Sequence, residues 1–288
     1  QSSTGALLRV AVPNKGALSV AATEILRESG YRQRRDSKEL AVTDADNGVE
    51  FFYLRPRDIA LYVGSGTLDA GITGRDLLLD SGSPAVEHLP LGFGRSTFHF
   101  AAPVGTMSEH TDISGRRIAT SYAILVENYL AERGIVHSGV VRLDGAVETA
   151  VRLGVADVVA DVVETGTTLR AAGLEVFGEP ILESEAVLVR RAGEEPPAGL
   201  DVLARRLQGV LTARQYVLMD YDVPLELVDR AVAVTPGLES PTVSPLHDQG
   251  WAAVRVMVRR DETNKVMDEL YAVGARAILV TSIHACRL

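Results

Sequence analysis

The stretch Asp161-Val162-Val163-Glu164-Thr165-Gly166-Thr167-Thr168 closes an apolar run, 155–163, that has the pattern of a buried strand. A short helical pattern, 168–172, follows it. A strand that turns through Thr-Gly-Thr-Thr into a helix presents backbone N–H groups, hydroxyls and the positive end of a helix dipole to one anion. Asp161, just before the turn, is placed to accept hydrogen bonds from sugar hydroxyls. The segment predicts a ribose-phosphate site, and the alternative is an ordinary junction with threonine caps.

Strands and helices alternate on both sides of this stretch, which predicts an α/β fold with helices on both faces of its sheets. The predicted strands are 7–12, 39–43, 49–54, 69–73, 116–120, 138–143, 155–163 and 185–191, with a hairpin at Asn47-Gly48. The predicted helices are 19–30, 56–63, 77–80, 124–133, 146–153, 168–172 and 201–213. Residues 89–104, broken by two glycines, are interpreted as a crossing between two lobes, and strand 185–191 as the return. We therefore expect a bilobal body, with residues 7–94 and 185–214 in lobe I and residues 95–184 in lobe II, and ligands at the strand ends.

The pattern changes after residue 215. Strand, helix, strand, strand, helix and strand follow one another at 216–221, 225–232, 242–244, 251–259, 263–273 and 277–283. This β-α-β-β-α-β order is that of a ferredoxin-like unit. We expect residues 215–288 to form a separate domain that serves oligomerisation or effector sensing, since its edge strands could pair with those of another copy.

Composition narrows the classes of function. A net charge of −9 disfavours a free nucleic-acid binder. The single cysteine, Cys286, excludes a disulfide framework and a cysteine-based zinc site. The sequence has no stretch long enough to span a membrane and no export signal, so we expect a cytoplasmic protein. Residues 1–5 are interpreted as an expression scar.

Two further strand-to-helix junctions carry glycine and a cation. They are Asn14-Lys15-Gly16 and Thr73-Gly74-Arg75-Asp76. Each alone is weak evidence, because helix caps use the same residue types. Together with Thr165-Gly166-Thr167-Thr168, the threonine turn, they predict a polyanionic ligand across the cleft. Arg55, at the end of an apolar strand, could clamp a phosphate, and Lys38 could reach the same cleft.

No pair of nucleophile and base stands out. The six histidines are scattered without metal-ligand spacing, and each is interpreted as structural or exposed. Asp144 and Glu148 flank the start of a predicted helix, where substrate binding and helix capping are both open. Phosphate cradles without a nucleophile favour group transfer by positioning and electrostatics.

The chain also resembles a known family, ATP phosphoribosyltransferase in its long form. The resemblance covers nearly the whole chain from Leu8. It is carried by Arg9-Val10-Ala11-Val12-Pro13-Asn14-Lys15-Gly16, Phe52-Tyr53-Leu54-Arg55-Pro56-Arg57-Asp58-Ile59, Asp69-Ala70-Gly71-Ile72-Thr73-Gly74-Arg75-Asp76, Asp144-Gly145-Ala146-Val147-Glu148-Thr149, Leu153-Gly154-Val155-Ala156-Asp157, Thr165-Gly166-Thr167-Thr168-Leu169 and Thr235-Pro236-Gly237-Leu238-Glu239-Ser240-Pro241-Thr242.

The resemblance implies a periplasmic-binding-protein-like catalytic body followed by an ACT-like regulatory domain. It implies that N1 of ATP attacks C1 of phosphoribosyl pyrophosphate and displaces pyrophosphate with Mg²⁺ present, which is the committed step of histidine biosynthesis. The threonine turn would hold the 5-phosphate, and Glu148 and Asp161 would lie on the ribose side. Lys15, Arg55 and Lys38 would be the catalytic cations. Glu164 departs from relatives, which often carry a small residue there, and we expect it to point away from the phosphate.

The resemblance further implies feedback inhibition by L-histidine and assembly of dimers into hexamers. Asp222 would supply the charge for the effector, and Ser240 and Thr242 its hydroxyl groups. The apolar wall of that site would be Leu238, Met257 and Ala277.

Two alternatives share this architecture. Prephenate dehydratase also pairs a bilobal body with a small domain, but its Thr-Arg-Phe signature is absent, the nearest text being Arg95-Ser96-Thr97-Phe98. A solute-binding protein without catalysis is the other, and the missing export signal argues against it.

Overall fold

A computed structural model describes residues 6–248 and 250–288, so the interpretation of residues 1–5 falls outside the described residues. The chain divides into two compact units, one ending at Ala204 and one spanning Arg205–Leu288. Two sheets lie in the first unit and one in the second. The α/β class expected from the sequence is confirmed.

The first sheet has six strands, in the order β2-β3-β1-β4-β11-β5. Its strands are β1 Leu8–Pro13, β2 Ala41–Asp44, β3 Val49–Leu54, β4 Ala70–Gly74, β5 Ala85–Pro90 and β11 Ala186–Arg191. Strands β3, β1 and β4 are parallel neighbours, whereas β2, β11 and β5 run antiparallel to theirs. Val10, Ala11 and Val12 of β1 are fully buried, as expected of a central parallel strand covered on both faces.

The helices of this first sheet begin where parallel strands end. They are α1 Gly16–Glu28, α2 Pro56–Gly64 and α3 Arg75–Asp80. The expected hairpin between β2 and β3 is present. A 3₁₀ turn, Ala45–Asn47, leads into Gly48, whose φ of 68° lies in the left-handed region that favours glycine.

The second sheet has five strands, in the order β10-β6-β9-β7-β8. Its strands are β6 Ser96–Pro103, β7 Arg117–Thr120, β8 Gly139–Arg142, β9 Val158–Val163 and β10 Leu174–Ser184, and its helices are α4 Ala123–Glu132, α5 Thr149–Arg152 and α6 Thr167–Ala171. A 3₁₀ segment, His110–Ile113, precedes β7. One apolar cluster around Phe98 and Phe100 and a second around Ala119 and Val159 cover the two faces.

Two crossing segments join the lobes and are hydrogen-bonded to each other. The N–H of Leu91 donates to Ala186 O at 2.9 Å, and the N–H of Ala186 donates to Phe93 O at 2.8 Å. Strand β11 lies between β4 and β5, so the chain does return to the first sheet after completing the second.

Three sequence predictions need correction here. Strand β10 was not predicted, and residues 89–104, interpreted as a crossing, contain the end of β5 and all of β6. The helix predicted at 146–153 spans Thr149–Arg152, because Ala146 has a φ of 47°, which a right-handed helix cannot contain.

The second unit begins within helix α7, Leu200–Gln215. Its sheet has the order β13-β14-β12-β15 with every pair antiparallel. Its elements are β12 Tyr216–Pro224, α8 Val228–Val234, β13 Thr242–Pro245, β14 Trp251–Arg259, α9 Thr263–Val273 and β15 Arg276–Ser282, with 3₁₀ segments at Leu225–Leu227 and Arg260–Glu262. This is the predicted ferredoxin-like arrangement. Alternate residues of β12, such as Met219 and Tyr221, are buried in the core with Leu270 of α9. Asp220 and Asp222 therefore lie on the opposite face.

Candidate active site

The threonine turn and three acidic residues line one cavity of about 300 Å³ in lobe II. Its lining comprises Glu148, Asp161, Val162, Val163, Glu164, Thr165, Gly166, Thr167, Thr168 and Leu169. Strand β9 ends at Val163, and α6 begins at Thr167. Gly166, between them, has a φ of 70°, so a side chain at this position would be strained.

Hydroxyl groups converge at this turn. The hydroxyls of Thr165 and Thr167 lie 3.0 Å apart, and Nη2 of Arg170 lies 3.4 Å from the Thr167 hydroxyl. The turn thus offers an αL glycine, adjacent hydroxyls and a nearby guanidinium, which together suit an anion.

Asp161 is half-buried, and its Oδ1 accepts a hydrogen bond from the N–H of Val162 at 2.8 Å. Burial raises the pKa of Asp161, and the negative charge of Glu148 raises it further, although the Val162 bond opposes both. Two carboxylates that share a cavity in this way are suited to accept hydrogen bonds from neighbouring sugar hydroxyls.

His99 is a neighbour of Asp161 that the sequence did not reveal. The register of β6 and β9 places the two directly opposite, so their side chains lie on the same face. Nε2 of His99 lies 2.9 Å from the Thr97 hydroxyl, which donates to Val163 O at 3.2 Å. Because the single hydroxyl proton is used on the carbonyl, Nε2 of His99 must be the donor to Thr97. Burial lowers the pKa of His99, which favours the neutral ring.

A second cavity, of about 880 Å³, lies beside the crossing segments. Its lining comprises Arg75, Gly94, Arg95, Ser96, Thr97, Val163, Glu164, Glu183, Ser184 and Glu185. Val163 and Glu164 line both cavities, and Glu164 is exposed. The expectation that the Glu164 carboxylate points away from the threonine turn stays a prediction.

The junction Gly74-Arg75-Asp76 is engaged within the protein. Nη1 of Arg75 donates to Glu183 O at 3.0 Å, and its guanidinium also holds the carboxylate of Glu87. Asp76 is buried, and its Oδ1 accepts from the Ser184 hydroxyl at 3.2 Å. Burial raises the pKa of Tyr122, and its hydrogen-bonded neighbour Asp76 raises it further. A phosphate would have to compete with these internal partners for Arg75.

The three predicted catalytic cations are exposed on lobe I. Lys15 is the residue before α1, and Arg55 is the residue before α2. The N–H of Asn14 donates to Leu54 O at 2.8 Å, so the segments that carry Lys15 and Arg55 are adjacent. The Arg55 side chain is 74% exposed, and its Nε lies 3.8 Å from Oδ2 of Asp58. Lys38 is exposed on the loop before β2.

Asp144 does not line the smaller cavity, and the described residues hold no metal cage. Asp144 is exposed on the loop before α5, and the smaller cavity is lined by Glu148 and Asp161 without it. Across residues 6–248 and 250–288, no cluster of three or more His, Cys, Asp or Glu side chains could hold a metal ion. In the same ranges no helix is both long enough and apolar enough to cross a membrane.

The predicted effector residues are spread over the ferredoxin-like unit. Asp222 lies opposite Ala253, and Met257 lies opposite Leu218, four positions away along β12. At the usual strand rise this separates Asp222 from Met257 by about 13 Å. Thr242 lies in β13, Leu238 and Ser240 lie on the loop before it, and Ala277 lies in β15 with a φ of 51°.

Two family models match the chain. The model "HisG: ATP phosphoribosyltransferase" matches residues 55–209, and the model "HisG, C-terminal domain" matches residues 213–285. The ATP phosphoribosyltransferase of Arthrobacter sp. (strain FB24) is 67% identical over 287 residues, which cover 98% of this chain and 100% of that protein. The ATP phosphoribosyltransferase of Streptomyces coelicolor is 63% identical over 286 residues, with the same two coverages.

A solved structure supports the same relationship. The ATP phosphoribosyl transferase (HisG:HisZ) complex from Thermotoga maritima includes a chain with a TM-score of 0.59 and 26% identity, covering 70% of this chain and 97% of that chain. These matches separate the chain from the prephenate dehydratase and solute-binding alternatives. With the catalytic and C-terminal models both matched in one polypeptide, the chain belongs to the ATP phosphoribosyltransferase family, glycosyltransferases of the first step of histidine biosynthesis, in its long form.

Proposed function

We propose that the protein transfers the phosphoribosyl group of phosphoribosyl pyrophosphate to N1 of ATP. The lone pair of N1 forms a bond to C1 of the ribose, while the bond from C1 to pyrophosphate breaks and its electron pair leaves with pyrophosphate. The observation that carries this proposal is the shared cavity of the threonine turn, Asp161 and Glu148. It combines groups for a phosphate with groups for sugar hydroxyls, which matches the two ends of a ribose 5-phosphate.

Each group has a proposed role. Thr165 to Thr168 bind the 5-phosphate through N–H and hydroxyl groups, and Asp161 and Glu148 accept from the ribose hydroxyls. Positive charge develops on the ribose as the leaving group departs, and these two carboxylates would stabilise it. Lys15, Arg55 and Lys38, on the strand ends of lobe I, stabilise the negative charge on pyrophosphate. Gly74, Arg75, Asp76 and Asp144 complete the proposed substrate contacts.

Magnesium is proposed to arrive with its phosphate ligands. Mg²⁺ keeps several waters and needs only one or two protein carboxylates beside substrate phosphates, so the pair Glu148 and Asp161 fits without a cage of three acids. When bound, it would neutralise charge on the pyrophosphate. Because both proposed substrates are phosphorylated intracellular metabolites, the proposed location is the cytoplasm.

Regulation is proposed to reside in the C-terminal unit. We infer that L-histidine binds there, with Asp222 facing its positive charge, and that edge strands β13 and β15 support assembly of dimers into hexamers. Inhibition would then be allosteric and not competitive with phosphoribosyl pyrophosphate.

The test of the reaction is direct. Purified full-length protein with ATP, phosphoribosyl pyrophosphate and Mg²⁺ should form phosphoribosyl-ATP, followed by absorbance, with one pyrophosphate released for each product. A folded protein that forms no product at any pH or Mg²⁺ concentration would overturn the proposal.

A further inference from the structure

The side chain of Arg34 joins two loops that carry predicted catalytic lysines. Its Nη2 donates to the backbone carbonyl of Asn14 at 2.6 Å, and its Nη1 donates to the carbonyl of Ser37 at 3.1 Å. Asn14 immediately precedes Lys15, and Ser37 immediately precedes Lys38. One guanidinium therefore fixes the main chain next to both lysines.

Arg34 is itself held against strand β3. Its guanidinium carbon lies 4.4 Å from the centroid of the Tyr53 ring, and the backbone N–H of Arg34 donates to the Tyr53 hydroxyl at 2.9 Å. That hydroxyl donates to Oε1 of Gln33, also at 2.9 Å. Tyr53 is 2% exposed, and burial raises its pKa, so the phenol stays neutral and provides a rigid surface for the cation.

The backbone of Arg34 is fixed as well, because its carbonyl accepts a hydrogen bond from Nη2 of Arg27 at 2.9 Å. Tyr53 lies in strand β3, two residues before Arg55, which follows the end of that strand. The arginine thus contacts the segments of all three predicted catalytic cations, although its two terminal nitrogens are used on carbonyl groups inside the protein.

We propose that Arg34 is a positioning residue that sets the spacing of Lys15, Lys38 and Arg55 around the departing pyrophosphate. The inference rests on the proposed function of those three cations. An arginine is required because two terminal nitrogens, held in one plane over an aromatic ring, must reach two separate carbonyls. A lysine keeps the charge but presents a single ammonium without the planar fork.

The experiment compares Arg34→Lys with Arg35→Lys, a matched control at the adjacent, exposed arginine. Misplaced catalytic groups slow the reaction more than they weaken the binding of ATP. The kcat of Arg34→Lys should therefore fall about ten- to a hundredfold. Its KM for ATP and its thermal midpoint should stay close to those of the wild type. Arg35→Lys should be unchanged in all three. Methylguanidinium added to Arg34→Ala should restore part of the lost kcat. A purely structural defect would not be rescued in this way.

Pyrophosphate binding, measured by calorimetry without turnover, separates the possible failures. Arg34→Lys should bind pyrophosphate about tenfold more weakly than the wild type and Arg35→Lys, since one weakened charge-assisted contact has that magnitude. If the wild type forms no phosphoribosyl-ATP but this difference persists, the reaction fails and the positioning role stands. Wild-type kcat and wild-type pyrophosphate affinity in Arg34→Lys would overturn the positioning role, as would a loss of kcat that only follows a lower thermal midpoint and is not rescued.

Discussion

Arg75 and Glu87 form a two-point ion pair, in which Nε of the arginine donates to Oε2 at 2.9 Å and Nη2 donates to Oε1 at 2.8 Å. The side chains are 25% and 31% exposed. The hydrogen bonds from Arg75 hold the pKa of Glu87 below its usual value of 4.5. Since each of two guanidinium nitrogens donates to a different carboxylate oxygen, this pair fixes α3 to β5 before any substrate arrives.

Glu87→Gln should lower the free energy of unfolding by about 1 kcal/mol at neutral pH. Because the folded pKa of Glu87 is lowered, the stabilisation is present above the unfolded value and is lost as the pH falls through the folded pKa. Urea denaturation at several pH values should therefore show curves that converge in acid. Glu194→Gln, which removes an exposed i,i+3 pair with Arg191, is the control and should change little. Equal midpoints for Glu87→Gln and wild type at pH 7 would contradict the assignment.

Gly166→Val should weaken binding of phosphoribosyl pyrophosphate about ten- to a hundredfold, because loss of one charge-assisted contact has that size. The residue has a φ of 70°, and a Cβ there would lie 3.2 Å from Nη1 of Arg170. Gly154→Val is the control, since Gly154 has a φ of 74° with open space around its Cβ position and carries the same backbone strain away from the cavity. KM for phosphoribosyl pyrophosphate is the measurement. Equal KM values in the two folded variants would count against the phosphate turn.

Arg55→Lys should lower kcat, because an ammonium cannot reproduce the planar fork on pyrophosphate. The Arg55 side chain is largely exposed and its ion pair with Asp58 is long at 3.8 Å, so the substitution should leave the thermal midpoint unchanged. Arg142→Lys, on the exposed end of edge strand β8, serves as the control. Steady-state rates at saturating substrates decide the matter, and a wild-type kcat and kcat/KM would remove Arg55 from the catalytic residues.

The dependence of kcat/KM on pH should report Asp161. Burial raises its pKa first and Glu148 adds to the shift, so activity should fall in acid at a higher pH than an ordinary carboxylate would require. Glu148→Gln removes a like charge and should move that inflection to lower pH, whatever it does to the maximal rate. Glu127→Gln, at an exposed position of α4 outside the cavity lining, should leave the inflection in place. An inflection that does not move in Glu148→Gln would refute the coupling.

Asp222→Ala should abolish inhibition by L-histidine while leaving activity intact. Asp222 lies on the sheet face away from α8 and α9, where a charged effector can reach it. Asp268→Ala, on exposed positions of α9, is the matched control and should remain sensitive. Inhibition curves with L-histidine are the measurement, and an Asp222→Ala enzyme that is still inhibited at the wild-type concentration rules the site out.

The sequence predicted the elements whose pattern is local. Strand β3 was predicted with its observed bounds, Val49–Leu54, because only Glu50 interrupts its run of apolar and aromatic residues. Strand β10 could not be found this way, since Gly178, Pro180 and glutamates interrupt it and pairing with β6, across an irregularity between Phe177 and Leu182, defines it.

The same division holds at the site. The threonine turn and Asp161 are contiguous and were visible in the sequence. The engagement of Asp76 by Ser184 joins residues 108 positions apart, and that of Arg34 by Asn14 joins residues 20 positions apart. Such partners come together only once the sheets have formed. Sequence patterns therefore identified the charged residues but did not reveal which of them are hydrogen-bonded to other groups of the protein.

The position of β11 between β4 and β5 has a consequence for how the chain is made. A ribosome releases β4 and β5 first, then all of lobe II, and only then the strand that joins them. Until Ala186–Arg191 emerges, the β4 edge lacks its antiparallel neighbour and β5 lacks the strand with which it pairs. Lobe II, whose first and last strands β6 and β10 pair with each other, can assemble from contacts among its own residues in the meantime. Lobe I is therefore the first lobe to be started and the last to be completed during synthesis, and its unpaired edge is open to mispairing throughout that interval.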